Sequence, residues 1–174
     1  MRAHGHSVRP AECEEERNEN HDRNGAAMQW VTRQTIRINR SATAWLIRRF
    51  IDPAATFRFV AADDVPGIQQ REGARGFDAP GATYPHRDEY GRCSFEALVD
   101  EHCAADPALV DLARIVHGAD FADAVGETPE SAGLRAISQG FPLVCRDDHE
   151  TLERATFLYD ALYAHLRARR GDAP

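Results

Sequence analysis

"AWLIRRFIDP" (44–53) decides how the chain is read. Trp45, Ile47, Phe50 and Ile51 recur near helical spacing, so the stretch predicts an amphipathic helix with Ser41 as its N-cap. Arg48 and Arg49 leave the apolar face, and Asp52 before Pro53 disfavours helical backbone and ends the element. Upstream, "MQWVT" (28–32) reads as a short strand, and downstream "TFRFV" (56–60) alternates as a strand does. "DDVPGIQQREG" reads as a short helix and "GFDAPG" as an extended turn region.

From residue 94 the signals are helical. Ser94 reads as the cap of "FEALVDEHCA". Asp106–Pro107 and Thr128–Pro129 each place a capping side chain before a proline at the first helical position. Asp147 and Glu150 form a D-x-x-E variant of the capping box for the last helix, with Leu152, Thr156, Tyr159, Leu162, Tyr163 and Leu166 as its buried stripe. The expected fold is α+β and mostly α-helical: a few short N-terminal strands, then a packed set of helices, in one domain over 28–170. Residues 1–27 are polar and charged, with His4, His6, His21 and Cys13 but little to bury, and are expected to be a disordered extension.

The 174 residues carry a net charge of −7, which argues against general nucleic-acid binding. No apolar run is long enough for a membrane span, and the N-terminus lacks the apolar region of a signal peptide, so the expected location is the cytoplasm. Charge is unevenly spread. Residues 28–62 hold six arginines against Asp52 alone, while 88–130 hold eleven acids against Arg92 and Arg114. Every basic residue is arginine, whose planar fork suits oxyanions. The four cysteines have no C-x-x-C pairing and read as free thiols.

The chain resembles the C-terminal domain of the bacterial chromate-resistance protein B family. That family's pattern, aspartate-arginine-x-alanine-cysteine-x-tryptophan-leucine-isoleucine-x-arginine-phenylalanine-x-aspartate, aligns with Asn39 to Asp52. "WVTR" (30–33), "RCSFEALV" (92–99), "DPALVDLARIVHGAD" (106–120), "PESAGLRAI" (129–137) and "DDHETLE…YDALYA" (147–164) follow in the family's order. Two positions depart from it: Thr43 replaces a cysteine and Asn39 an aspartate. The family's N-terminal regulatory portion has no counterpart in this sequence, so a DNA-binding regulator is not expected.

The resemblance, with the residue types, implies a divalent metal site. His86, His117 and Asp120 supply an ordinary first-row ligand set, and Cys93 as thiolate would bias it towards zinc over manganese or iron. His149 and Glu153, at i and i+4, are further candidate ligands. Arg40 and Arg49 are the expected receivers of an oxyanion such as chromate, with Asp52 as an alternative ion-pair partner for Arg49. Cys93 also reads as a candidate redox thiol. No G-x-G-x-x-G or P-loop is present, so nucleotide binding has no support. A metal-dependent enzyme and a non-catalytic sensor or accessory module both fit these residues.

Overall fold

The computed structural model describes residues 28–124 and 126–171. The extension 1–27, with Cys13, lies outside them. Three parallel strands, β1 (Gln29–Arg33), β2 (Thr56–Val60) and β3 (Arg75–Gly76), lie in the order β2-β1-β3. Helices α1 (Ile38–Leu46) and α2 (Val65–Glu72) sit among them, and α3 (Ser94–His102), α4 (Pro107–Asp120), α5 (Pro129–Val144) and α6 (Asp148–Arg169) follow. The α+β, mostly helical architecture is therefore the expected one. Among the described residues no helix is long and apolar enough to cross a membrane.

Both faces of the small sheet are covered, as parallel sheets require. Trp30 enters the main core, stacking on Tyr84 and meeting Phe77 edge-on. Its neighbour Val31 points the other way, onto Val65 and Ile68 of α2.

The opening stretch departs from a one-faced helix. α1 is buried on nearly every side, with Asn39, Ser41 and Thr43 buried beside Trp45 and Leu46. Those polar groups are satisfied internally: Ser41 Oγ bonds Tyr159 Oη, and Thr43 Oγ1 donates to Asn39 Oδ1. Residues Ile47–Ile51 continue as a π-helical turn, and Asp52 is extended, ending the element as the proline requires.

Three caps differ from expectation: Ser41, Ser94 and Thr128, which stands at the N-cap of α5 without a capping bond, its hydroxyl meeting Ser131 Oγ. Before α1 and at α3 the backbone N–H groups bond acceptors other than the expected serine: Asp148 takes those of Thr35 and Ile36, Asn39 takes that of Phe95, and a local Cys93–Glu96 box closes the rest of the α3 start. Asp148 of α6 accepts from Thr35 N and Ile36 N, both at 2.8 Å, so α1 begins at Ile38 and Ser41 bonds back to Arg37 O. At α3 the N-cap is Cys93, and buried Ser94 donates to Asn39 Oδ1 at 3.1 Å. Asp106 and Asp147 do cap α4 and α6, accepting from Ala108, Leu109 and Glu150 backbone N–H groups. Glu150 completes no reciprocal box with Asp147; its carboxylate takes Arg146 N. In the last helix Leu152, Tyr159, Tyr163 and Leu166 are buried as expected, Thr156 and Leu162 only partly, and Thr151 and Ala155 join the buried face.

Candidate metal centre

The loop after β3 brings the first ligand. Phe77 pairs with Tyr84 in a parallel bridge, and Asp78 N donates to Tyr84 O at 2.8 Å, so the chain loops round immediately beyond the sheet and returns alongside itself. Asp78 takes the left-handed conformation (φ 49°), which aspartate tolerates better than most residues. Its carboxylate is buried. Farther along the same loop stands His86, and Asp120 closes the last turn of α4.

These three converge. One donor atom from each of Asp78, His86 and Asp120 lies within 4.8 Å of the other two. His86 Nδ1 is 2.6 Å from Asp78 Oδ1 and 3.5 Å from Asp120 Oδ2. Asp120 Oδ2 is buried without a hydrogen-bond partner. Burial first, and then the neighbouring Asp78 charge, push the Asp120 carboxyl up to about 6 from an ordinary 3.8. The hydrogen bond to Asp78 raises the His86 imidazole, against the opposing effect of its partial burial. A proton between His86 and Asp78 therefore holds together groups that a cation could hold instead.

Asn39 fixes the geometry. Its Oδ1 accepts from Thr43 Oγ1 at 3.2 Å, Ser94 Oγ at 3.1 Å and Phe95 N at 3.2 Å, which leaves Nδ2 to donate to Asp78 Oδ1 at 3.0 Å. The amide position that departs from the family pattern is thus a positioning group for Asp78. Guanidinium groups complete the wall. Arg33 Nε donates to Asp78 O at 2.8 Å, and Arg40 lies 3.4 Å from Asp78 Oδ2 while donating to Thr35 O. Arg40 Nε is buried without a partner. Arg33, Arg37, Arg40 and Arg135 line, with Asp78 and Asp120, a cavity of about 150 Å³. Four cationic groups against two carboxylates leave its rim suited to an anion.

The structure separates the other expected residues from this cluster. His117 Nδ1 donates to Glu96 Oε2 at 2.7 Å and packs edge-on against Phe121, whose ring also carries His86. Three residues along a helix leave His117 and Asp120 about 60° apart, enough to send one towards α3 and the other into the cavity. Cys93 is buried, its sulfur accepts from Glu96 N, and burial raises its thiol well above the ordinary range, contrary to an activated redox thiol. His149 packs on Phe59 at the surface. Glu153 and Arg49 line a separate groove of about 450 Å³ between α6 and the π-helical turn. Arg49 pairs with Asp160, which also receives Trp45 Nε1, and not with Asp52. Asp78 was missed because an aspartate before Ala-Pro-Gly reads as an ordinary turn residue.

Fold and site define a mostly helical α+β domain with a carboxylate–imidazole cluster walled by arginines. The family model of the ChrB C-terminal domain matches residues 30–166, and the chain belongs to that family. It is 39% identical over 145 residues to Protein ChrB of Cupriavidus metallidurans, a match covering 82% of this chain and 42% of that relative. The chain thus spans less than half the length of the curated relative it matches. No solved structure matches it.

The carboxyl of Asp120 gives a pH prediction for the metal-free protein. A folded-state pKa near 6 above an ordinary 3.8 means that the folded chain holds this proton more tightly. The ionised group therefore destabilises the fold progressively as pH rises from about 4 through 6. Asp120→Asn should melt higher than the parent at pH 7, the gap closing towards pH 4. Thermal melts across that window check it, and a gap that is constant with pH contradicts it.

Proposed function

We propose that this domain binds a divalent metal ion through Asp78, His86 and Asp120 and receives an oxyanion such as chromate on the adjoining arginines, in the handling of chromate stress. One observation carries the reading: three donor atoms converge within 4.8 Å, and one of them is a buried carboxylate oxygen without a hydrogen-bond partner. Two carboxylates and one imidazole suit manganese, iron or zinc, and three protein ligands leave coordination positions open. For metal to enter, His86 must release its Nδ1 proton, so uptake weakens as pH falls. A bound ion supplies a Lewis acid beside the anion. The chain's own part is to orient the anion with Arg33, Arg37 and Arg135 and to hold Asp78 in place through Asn39.

The test is elemental analysis of the chelator-washed protein after reloading with manganese, iron or zinc. The parent and His117→Ala should each carry close to one ion per chain, whereas His86→Ala and Asp120→Ala lose it. A parent that takes up no metal overturns the reading, as does loss in His117→Ala with retention in His86→Ala. Equilibrium dialysis with chromate should then show weaker binding in Arg33→Ala and Arg135→Ala. Binding that is reversible and without turnover assigns the domain a sensing or accessory role; turnover that depends on the metal assigns an enzyme.

A further inference from the structure

Arg40 is enclosed and poorly matched. Its side chain is 11% exposed, against 35% for Arg33. Nη2 donates to Thr35 O at 2.8 Å, but Nε is buried without a partner. Its one ion-pair partner among the described residues, Asp78 Oδ2, stands 3.4 Å away, beyond the ~2.7–2.9 Å of a charge-assisted hydrogen bond. Asp78 meanwhile holds His86 at 2.6 Å and Asn39 at 3.0 Å. The pair is therefore loose on both sides: the guanidinium is short of negative charge, and the carboxylate has closer partners. Thr35 keeps Arg40 at the cavity wall. Its backbone is left-handed (φ 61°), which β-branched residues rarely adopt, and Asp148 pins it by accepting from Thr35 N and Ile36 N.

We infer that the cation and the anion reinforce each other's binding, with Arg40 as the residue that couples them; the inference rests on the metal reading above. In the metal-free protein Asp78 and Asp120 turn their charge on the cavity, and Asp78 occupies Arg40. A divalent ion held by Asp78, His86 and Asp120 offsets both carboxylates. The loose 3.4 Å pair then loses its attraction, and Arg40 is released to an anion in the cavity it already lines. The converse holds as well. Arginines crowded beside a cation site repel the incoming ion, and a bound anion removes that repulsion. Linkage makes the two effects equal in size. The cavity also limits the anion. At about 150 Å³ it is smaller than the ~300–1,000 Å³ of organic-ligand sites. Its donors are the guanidinium groups of Arg33, Arg37, Arg40 and Arg135 with the amide of Gln139. Forked donors around so small a space fit a tetrahedral dianion.

Manganese binding to the whole chain, read from the paramagnetic resonance of the free ion, tests this. Titrations in sulfate and in chloride are compared at one pH and equal ionic strength, each corrected with protein-free buffer. Sulfate is the probe because it is a tetrahedral dianion that manganese(II) does not reduce. In the parent, sulfate should tighten manganese binding about tenfold, and manganese should tighten sulfate binding, measured by calorimetry, by the same factor. In Arg40→Gln the factor should fall below about threefold, whatever that variant's affinity for manganese alone. Asp78→Asn reaches the same point without altering Arg40. Metal-free, it should bind sulfate about tenfold more tightly than the metal-free parent, and adding Arg40→Gln should abolish the gain. One manganese per chain with an affinity indifferent to sulfate overturns this inference and leaves the metal reading standing, whereas no manganese uptake overturns both. An undiminished factor in Arg40→Gln, or no gain in Asp78→Asn, overturns the role of Arg40.

Discussion

Trp45→Ala is expected to lower unfolding free energy by about 3–5 kcal/mol, the range for removing a large buried aromatic side chain. Trp45 is 2% exposed and touches three rings, Phe50, Tyr159 and Tyr163. Its Nε1 donates to Asp160 Oδ1 at 2.8 Å, and the same carboxylate receives Arg49. The substitution therefore leaves a cavity between α1 and α6 and frees Asp160 from one of its two anchors. Trp45→Phe should lose less, because it keeps most of the volume and gives up mainly the hydrogen bond. Urea unfolding of both variants checks this, and a loss below about 1 kcal/mol for Trp45→Ala would mean that the helix is not central to the core.

The second large effect belongs to Asp78. Its two oxygens engage His86 Nδ1 at 2.6 Å, Asn39 Nδ2 at 3.0 Å, Arg40 at 3.4 Å and Arg33 at 3.5 Å. Asp78→Ala strands the mostly buried Arg40 guanidinium, and removing one partner of a buried ion pair costs about 3–5 kcal/mol. Arg33, with 35% of its side chain exposed, adds little because water screens it. Alanine also fits the left-handed backbone at this position less well than aspartate. The lower end of the range, about 3 kcal/mol, is the expected loss in metal-free protein. Asp78→Asn keeps the backbone tolerance and much of the hydrogen bonding, so it should unfold at higher denaturant than Asp78→Ala while losing metal uptake equally. Equal stability of parent and Asp78→Ala would contradict the account of the buried pair.

Where structure depends on near neighbours, the sequence was readable. Asp106 and Asp147 cap helices two or three residues away, and both were identifiable from the residue types alone. Ser41 and Ser94 were equally good capping residues locally, but long-range bonds and, at α3, the Cys93–Glu96 box decided the outcome. Asp148 reaches Thr35 and Ile36 from more than a hundred residues away, and Asn39 reaches Phe95 N across 56. Local signals cannot rank such competitors. The site divides in the same way. His86 and Asp120 stood out by residue type, and the fold brings them together. His117 shared a helix end with Asp120, yet its angular offset and the carboxylate of Glu96 drew it elsewhere. Asp78 gave no signal beyond a turn, because its role arises from a positive φ and from partners on β1, α1 and the following loop. The amide of Asn39 was visible only as a departure from the family pattern, and its three incoming hydrogen bonds belong to the assembled core.

The central claim is that Asp78, His86 and Asp120 form one cation site. Anomalous diffraction from crystals soaked in manganese tests it most directly. The account predicts a single strong peak within coordination distance of Asp78, His86 Nδ1 and Asp120 Oδ2, absent from crystals of His86→Ala. No peak at that position, or a peak on His117 and Glu96 in its place, would contradict it.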